Sequence, residues 1–223
     1  MVAKPPQAER LALEGPAGSL EALVETPGGA GGAAAVGVYG VVCHPHPQHG
    51  GTMDNKVAWT LARAFQQCDA PVIRFNFRGV GASSGGYDAG RGETADALAV
   101  IAYGRARWPG AALWLGGFSF GAVVALRTAA EAQPARLVAV APGITRVEAG
   151  GVRAPACPWL IVQGEADDVV PAPAVIEWAQ GLSPAPQLVL LPAAGHFFHG
   201  SINELRAVVV SFLARGGARA AVR

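Results

Sequence analysis

The sequence is poor in charged residues. Of its 223 residues only 15% are Asp, Glu, Lys or Arg, and the formal net charge at pH 7 is +1. The arginines are scattered, and no basic run is long enough to follow a phosphate backbone. This composition argues against nucleic acid as a partner.

Cysteine is also scarce. Cys43, Cys68 and Cys157 are odd in number and far apart, which is not the pattern of a disulfide framework. Cys43 and Cys157 lie at or beside apolar runs. We therefore expect buried free thiols rather than a disulfide.

A long uninterrupted apolar segment is missing as well. The first 21 residues contain Pro5, Pro6 and several charges where a secretory signal has its apolar core. The stretch 108–126 carries no charge, but Pro109 and four glycines interrupt it. We expect a soluble, cytoplasmic protein with no membrane partner.

The length and the apolar content favour one compact domain. At 223 residues with 51% apolar residues, the chain suits a sheet covered by helices on both faces. We therefore expect a single α/β domain over residues 1–223.

The order of apolar runs and helical patterns predicts a mostly parallel sheet. Alternation over 10–14 and 19–26 predicts an antiparallel hairpin, and the Gly-Ala stretch 28–35 predicts a flexible surface turn. Further strands are predicted at 36–43, 70–77, 112–118, 137–141, 158–163 and 187–191. Helices are predicted at 55–67 with Asp54 as its cap, at 93–107, after Ser119, at 172–182 and at 202–214.

Residues 117–121 read Gly-Phe-Ser-Phe-Gly, a G-x-S-x-G pattern. A predicted strand leads into this pattern and a predicted helix follows it. This context is typical of a nucleophile elbow, in which a sharp strand-to-helix turn lifts the serine hydroxyl clear of the sheet. Ser119 is therefore the candidate nucleophile.

A serine nucleophile needs a histidine to take its proton and an acid to orient that histidine. The acidic cluster Glu165, Asp167 and Asp168 follows one predicted strand, and His196 follows the last one. Both lie past the carboxyl ends of strands, where open α/β sheets place their ligand crevice. His199 lies nearer the final predicted helix, so His196 is the candidate base.

Four segments together resemble the α/β-hydrolase superfamily: 44–51, 78–83, 117–121, and 164–171 with 195–196. The resemblance covers nearly the whole chain and is greatest to small lidless bacterial serine hydrolases of the dienelactone-hydrolase and carboxylesterase type. One departure is Gln163, where such proteins often have histidine.

The resemblance implies roles for particular residues. Similar hydrolases carry the acid three residues after a strand-ending glycine, and counting from Gly164 gives Asp167. They also place an oxyanion loop after the strand at 36–43. The backbone N–H groups of Phe120 and His46 are the expected oxyanion donors, since the prolines on either side of His46 have no N–H.

Three histidines at positions 44, 46 and 49 raise the alternative of a metal site. No carboxylate has a matching spacing nearby, so we expect no metal. The side chains of His44 and His49 are expected to hold the loop by hydrogen bonds.

Residues 78–83 contain Gly-x-Gly without a third glycine, and no Gly-Lys-Ser or Gly-Lys-Thr occurs, so we expect no cofactor. We expect Arg78 to anchor local loops, Ser83 and Ser84 to be surface turn residues, and Trp59 and Trp178 to pack within helices.

About 16 residues separate positions 141 and 158, where larger relatives of this kind insert a helical lid. We therefore expect no lid domain. The resemblance implies a serine hydrolase that cleaves small-molecule esters or thioesters of accessible acyl groups. Two alternatives stay open: a peptidase or amidase with the same residues, and a non-catalytic protein that binds a small ligand.

Overall fold

A computed structural model describes residues 7–28, 36–145 and 152–215. Apart from Gly28, the predicted surface turn at 28–35 lies outside these ranges. The described strands form one sheet in the order β1-β2-β4-β3-β5-β6-β7-β8. They are β1 (Gln7–Gly15), β2 (Gly18–Thr26), β3 (Val38–Cys43), β4 (Val72–Phe75), β5 (Ala112–Phe118), β6 (Arg136–Val140), β7 (Trp159–Gly164) and β8 (Gln187–Leu191).

The sheet is mostly parallel, as predicted. β1 pairs antiparallel with β2, and β2 pairs antiparallel with β4, so the predicted N-terminal hairpin extends one edge of the sheet. All the other neighbouring strands are parallel.

Helices cover both faces of the sheet. They are α1 (Lys56–Gln67), α2 (Arg91–Arg107), α3 (Phe120–Ala132), α4 (Ala172–Gln180) and α5 (Ile202–Ala214). Apolar residues of α1 and α5 pack on one face, and those of α2, α3 and α4 pack on the other. This double cover explains why the central strands are apolar along their whole length.

Successive residues of a central strand enter different core layers. In β3, Tyr39 and Val41 pack in the layer beneath α2 and α3, whereas Val42 packs in the layer beneath α1 and α5. β7 follows the same rule, with Ile161 in the first layer and Leu160 in the second. The two-residue period of a strand fixes which side chains each face buries.

The parallel strands bring the candidate residues to one edge of the sheet. Ser119 follows β5, Asp167 follows β7, His196 follows β8 and His46 follows β3. Because these four strands run in the same direction, their carboxyl ends meet at a common edge. The topology thus gathers residues that lie far apart in the sequence.

The structure corrects the predicted cap of α1. The cap is Asn55, whose side chain accepts hydrogen bonds from the N–H groups of Val57 and Ala58. Asp54 instead accepts a hydrogen bond at 3.0 Å from the buried guanidinium of Arg74. The carboxylate of Asp54 therefore pairs with Arg74 and does not cap the helix.

Two further predictions are wrong. Ser83 is buried rather than exposed, because its hydroxyl accepts from the N–H of Glu21 at 2.9 Å and donates to the carbonyl of Asn76 at 2.7 Å. Trp59 lies on the outer face of α1 and is 42% exposed. The packing role predicted for Trp178 is confirmed, since its ring meets that of Trp159.

The three cysteines are free thiols. Cys43 is buried at the end of β3, and burial raises the pKa of its thiol. Cys157 is only partly buried, so the prediction of a buried thiol holds for Cys43 alone.

Between β6 and β7 the chain forms no helix in residues 141–145 or 152–158. Across the three described ranges, no helix is both long enough and apolar enough to span a bilayer.

Arg78 anchors the loop after β4, as predicted. Its backbone N–H, Nε and Nη2 all donate to the carboxylate of Asp96 on α2, over 3.0, 2.9 and 2.7 Å. Asp96 is fully buried. A buried carboxylate with these donors ties the loop to the helix that covers it.

We expect Asp96→Asn to lower the free energy of unfolding by about 2 to 4 kcal/mol, because it removes the buried carboxylate to which the partly buried guanidinium of Arg78 donates. Urea unfolding followed by circular dichroism measures this loss. The control is Arg91→Gln, which removes an exposed pair with Asp88 and should cost less than about 0.5 kcal/mol. Equal losses in the two variants would contradict the assignment.

Candidate active site

Ser119 lies on a strained turn between β5 and α3. Its φ of 55° and ψ of −117° lie in a region that non-glycine residues rarely occupy. A Cβ atom added at Gly121 would lie 2.3 Å from the carbonyl oxygen of His44, and one at Gly117 would lie 2.2 Å from the carbonyl oxygen of Gly121. The two glycines of the motif thus allow three stretches of backbone to pass in contact.

A continuous chain of hydrogen bonds links the three candidate residues. The Oγ of Ser119 lies 3.0 Å from Nε2 of His196, and Nδ1 of His196 lies 2.8 Å from Oδ2 of Asp167. His196 and Asp167 are buried, whereas Ser119 is partly exposed. Because a carboxylate only accepts, Nδ1 of His196 donates to it, and in the neutral ring Nε2 is then free to accept the serine proton.

Asp167 is held as an anion. Burial by itself would raise the pKa of its carboxyl, but hydrogen bonds from His196 and from the N–H groups of Val170 and Val169 outweigh this effect and hold the pKa below its usual value. The two N–H groups donate to Oδ1 at 2.7 and 2.9 Å. The carboxylate therefore keeps its charge and its orientation at neutral pH.

Gln163, the last side chain before Gly164, supports this acid and was not predicted to do so. Its buried Nε2 donates to Oδ2 of Asp167 and to the carbonyl of Val170, each at 3.0 Å. Its Oε1 is buried without a partner among the described residues. The only signal in the sequence was the departure from histidine at this position.

His46 and Phe120 line the same cleft as Ser119 and His196. The cleft is open to solvent, and the empty space in and at the mouth of it is about 590 Å³. Within the described residues, no backbone acceptor is seen for the N–H of Phe120 or of His46. Phe197, which is 48% exposed, forms part of the rim.

Residues 48–145 match the family of proteins with the α/β-hydrolase fold. An uncharacterised protein of Rickettsia prowazekii is 31% identical over 183 residues, which cover 78% of this chain and 77% of the relative. A lidless α/β serine hydrolase from Xanthomonas campestris is 42% identical, with a TM-score of 0.88 and 95% of each chain covered. The chain belongs to the α/β-hydrolase family.

An α/β serine hydrolase homologue from Coxiella burnetii supports the same assignment, at 41% identity and a TM-score of 0.85 over 92% of this chain and 97% of that one. The predicted family and fold are therefore confirmed. The Xanthomonas structure has no lid, and the described residues between β6 and β7 of this hydrolase, 141–145 and 152–158, form no helix.

The other acids and the other histidine near the site of this hydrolase take no part in the hydrogen bonds that link Ser119, His196 and Asp167. Glu165 and Asp168 are exposed, and no hydrogen bond between either of them and His196 is seen in the described structure. His199 is also exposed, and among the described residues its ring lies near that of Phe197, with 6.1 Å between centroids. The structure thus brings Asp167 and His196 to Ser119 and leaves their neighbours outside.

The three histidines of the loop after β3 have separate environments. His44 is buried and holds the loop by hydrogen bonds, as predicted, one to the carbonyl of Pro45 within the loop and one from the N–H of Phe77 after β4. His49 differs from the prediction, because its ring stacks on that of His46 at 4.4 Å and makes no side-chain hydrogen bond to the described residues. No group of three or more His, Cys, Asp or Glu side chains in the described ranges is arranged to hold a metal ion.

Proposed function

We propose that this α/β hydrolase is a serine esterase that acts on carboxylic esters or thioesters through Ser119, His196 and Asp167. The observation that carries the proposal is the unbroken chain of hydrogen bonds from the serine hydroxyl to a buried, ionised carboxylate, with lengths of 3.0 and 2.8 Å. Such a chain activates an otherwise weak nucleophile.

In the first step, Oγ of Ser119 attacks the acyl carbon while Nε2 of His196 takes its proton. The tetrahedral intermediate collapses as the imidazolium returns the proton to the leaving alkoxide or thiolate, which leaves an acyl group on Ser119. Water then attacks this acyl-enzyme, with His196 as base, and releases the acid. Asp167 orients the ring and balances its charge in both steps.

The negative oxygen of each tetrahedral intermediate needs hydrogen-bond donors. We assign this role to the N–H groups of Phe120 and His46, which belong to residues that line the cleft beside Ser119. Phe120 is the first residue of α3, so the positive end of the helix dipole adds to the stabilisation.

The cleft favours small acyl groups. Its wall consists of residues of the loop after β3 together with Gly143, Val169 and Phe197. The described residues of the short connection between β6 and β7 form no helix that could cover the cleft. Seating an alkyl chain longer than the cleft would press the chain against the cleft wall, and this steric cost lowers the binding of the transition state.

We expect Ser119→Ala, His196→Ala and Asp167→Asn each to lower kcat/KM for p-nitrophenyl acetate at least about 1,000-fold, because each removes attack, proton transfer or orientation of the imidazole. The matched controls are His199→Ala and Asp168→Asn, which change exposed neighbours and should stay within about threefold of the wild type. Circular dichroism checks that every variant is folded.

If His199→Ala lost more activity than His196→Ala, the base would be misplaced. If Asp168→Asn lost more activity than Asp167→Asn, the acid would be misplaced. Absence of turnover in the wild type would instead favour a non-catalytic binding protein. A higher kcat/KM for an aminoacyl p-nitroanilide than for the ester would favour a peptidase.

We also expect kcat/KM to be about tenfold higher or more for p-nitrophenyl butyrate than for the palmitate, which corresponds to about 1.4 kcal/mol of transition-state stabilisation. The reason is the limited size of the cleft. The rate should rise smoothly with ester concentration through the solubility limit. A jump in rate on emulsified long-chain ester would contradict an open site without a lid.

A further inference from the structure

The ring of His44 uses both of its nitrogen atoms inside the protein. Its Nε2 lies 3.0 Å from the backbone N–H of Phe77, and its Nδ1 lies 2.6 Å from the carbonyl oxygen of Pro45. Since a carbonyl only accepts, Nδ1 carries the proton, and Nε2 accepts from Phe77. Both hydrogen bonds thus agree on a single neutral tautomer.

The environment of His44 keeps it in this form. The side chain is fully buried and packs against the ring of Phe77, with 4.5 Å between centroids. Burial lowers the pKa of His44 to about 4, against a smaller opposing effect of the hydrogen bond to Pro45. The ring therefore stays neutral, and its donor stays on Nδ1, at the neutral pH of an activity assay.

The carbonyl that His44 holds belongs to the same peptide group as the N–H of His46. This peptide is trans, so its C=O and N–H point in opposite directions. With the oxygen of Pro45 directed at the buried ring, the N–H of His46 points away from that ring, and His46 is one of the residues that line the cleft. No acceptor for it is seen within the described residues.

The next peptide along the loop is fixed as well. The carbonyl oxygen of His46 accepts from the N–H groups of His49 and Gly51, each at 3.0 Å. A side chain at Gly51 would come within 2.1 Å of the oxygen of Pro45, so only glycine leaves the hydrogen bond of His44 undisturbed. The peptide groups before and after His46 are therefore both held by hydrogen bonds, and these fix the orientation of the His46 N–H.

We propose that His44 is a positioning residue for the oxyanion: by holding the carbonyl of Pro45, it aims the N–H of His46 into the cleft. This proposal rests on the proposed function, because it concerns the same tetrahedral intermediate. His44 does not touch the substrate and takes up no proton during the reaction.

Two substitutions separate the two hydrogen bonds of the ring. Asparagine places its amide nitrogen close to the position of Nδ1, so His44→Asn can still donate to Pro45 but leaves the buried N–H of Phe77 unpaired. Glutamine places its amide oxygen close to the position of Nε2, so His44→Gln can still accept from Phe77 but loses the donor to Pro45.

We expect the two variants to separate activity from stability. His44→Gln should lower kcat for p-nitrophenyl butyrate about 10- to 100-fold with KM within about twofold, because it weakens an oxyanion donor without removing it. His44→Asn should keep kcat within about threefold of the wild type, while its urea midpoint falls below that of His44→Gln, because a buried donor is left unpaired.

A transition-state analogue gives a second measurement. A butyl trifluoromethyl ketone forms an anionic hemiketal with a serine, so its inhibition constant should rise in His44→Gln by about the factor by which kcat/KM falls. Wild-type kcat in both variants would overturn the proposal. So would a loss in His44→Asn as large as that in His44→Gln, or an unchanged inhibition constant. If the wild type itself hydrolysed no ester, the proposed function would fail first.

Discussion

The site depends on three stretches of backbone that pass in contact around Ser119. The end of β3, the end of β5 and the first turn of α3 approach so closely that Gly117 and Gly121 have no space for a methyl group. Packing on both sides holds Ser119 in a conformation that costs about 1 to 3 kcal/mol. The same contact places the loop after β3 beside the hydroxyl, so the nucleophile and the proposed oxyanion donors share one constraint.

The polar groups around this contact are nearly all paired. Asp167 accepts from His196, Gln163 and two backbone N–H groups, and His44 uses both ring nitrogens. Buried polar groups with complete sets of partners allow one arrangement only, since any other leaves a donor or an acceptor unpaired. Catalysis of the proposed kind needs this rigidity, because reacting groups gain rate from being held in place before the substrate arrives.

Much of the site could be predicted from the sequence, because the motif at Ser119 and the strand ends before Asp167 and His196 are local signals. Features that depend on distant partners could not. Asp54 and Asn55 are adjacent polar residues with similar capping preference, and the ion pair of Asp54 with Arg74, 20 residues away, is not visible in the local sequence. The contact of Gln163 with Asp167 likewise depends on how the loop after β7 folds back over the strand.

Labelling by a fluorophosphonate tests the central claim, that Ser119 is an activated nucleophile, most directly. The reagent forms a stable bond with a serine only when a neighbouring base takes its proton. We expect one adduct per chain, found on the peptide that contains Ser119, and no adduct after the protein is unfolded in urea. An unlabelled native protein, or an adduct on another serine such as Ser83 or Ser201, would contradict the account.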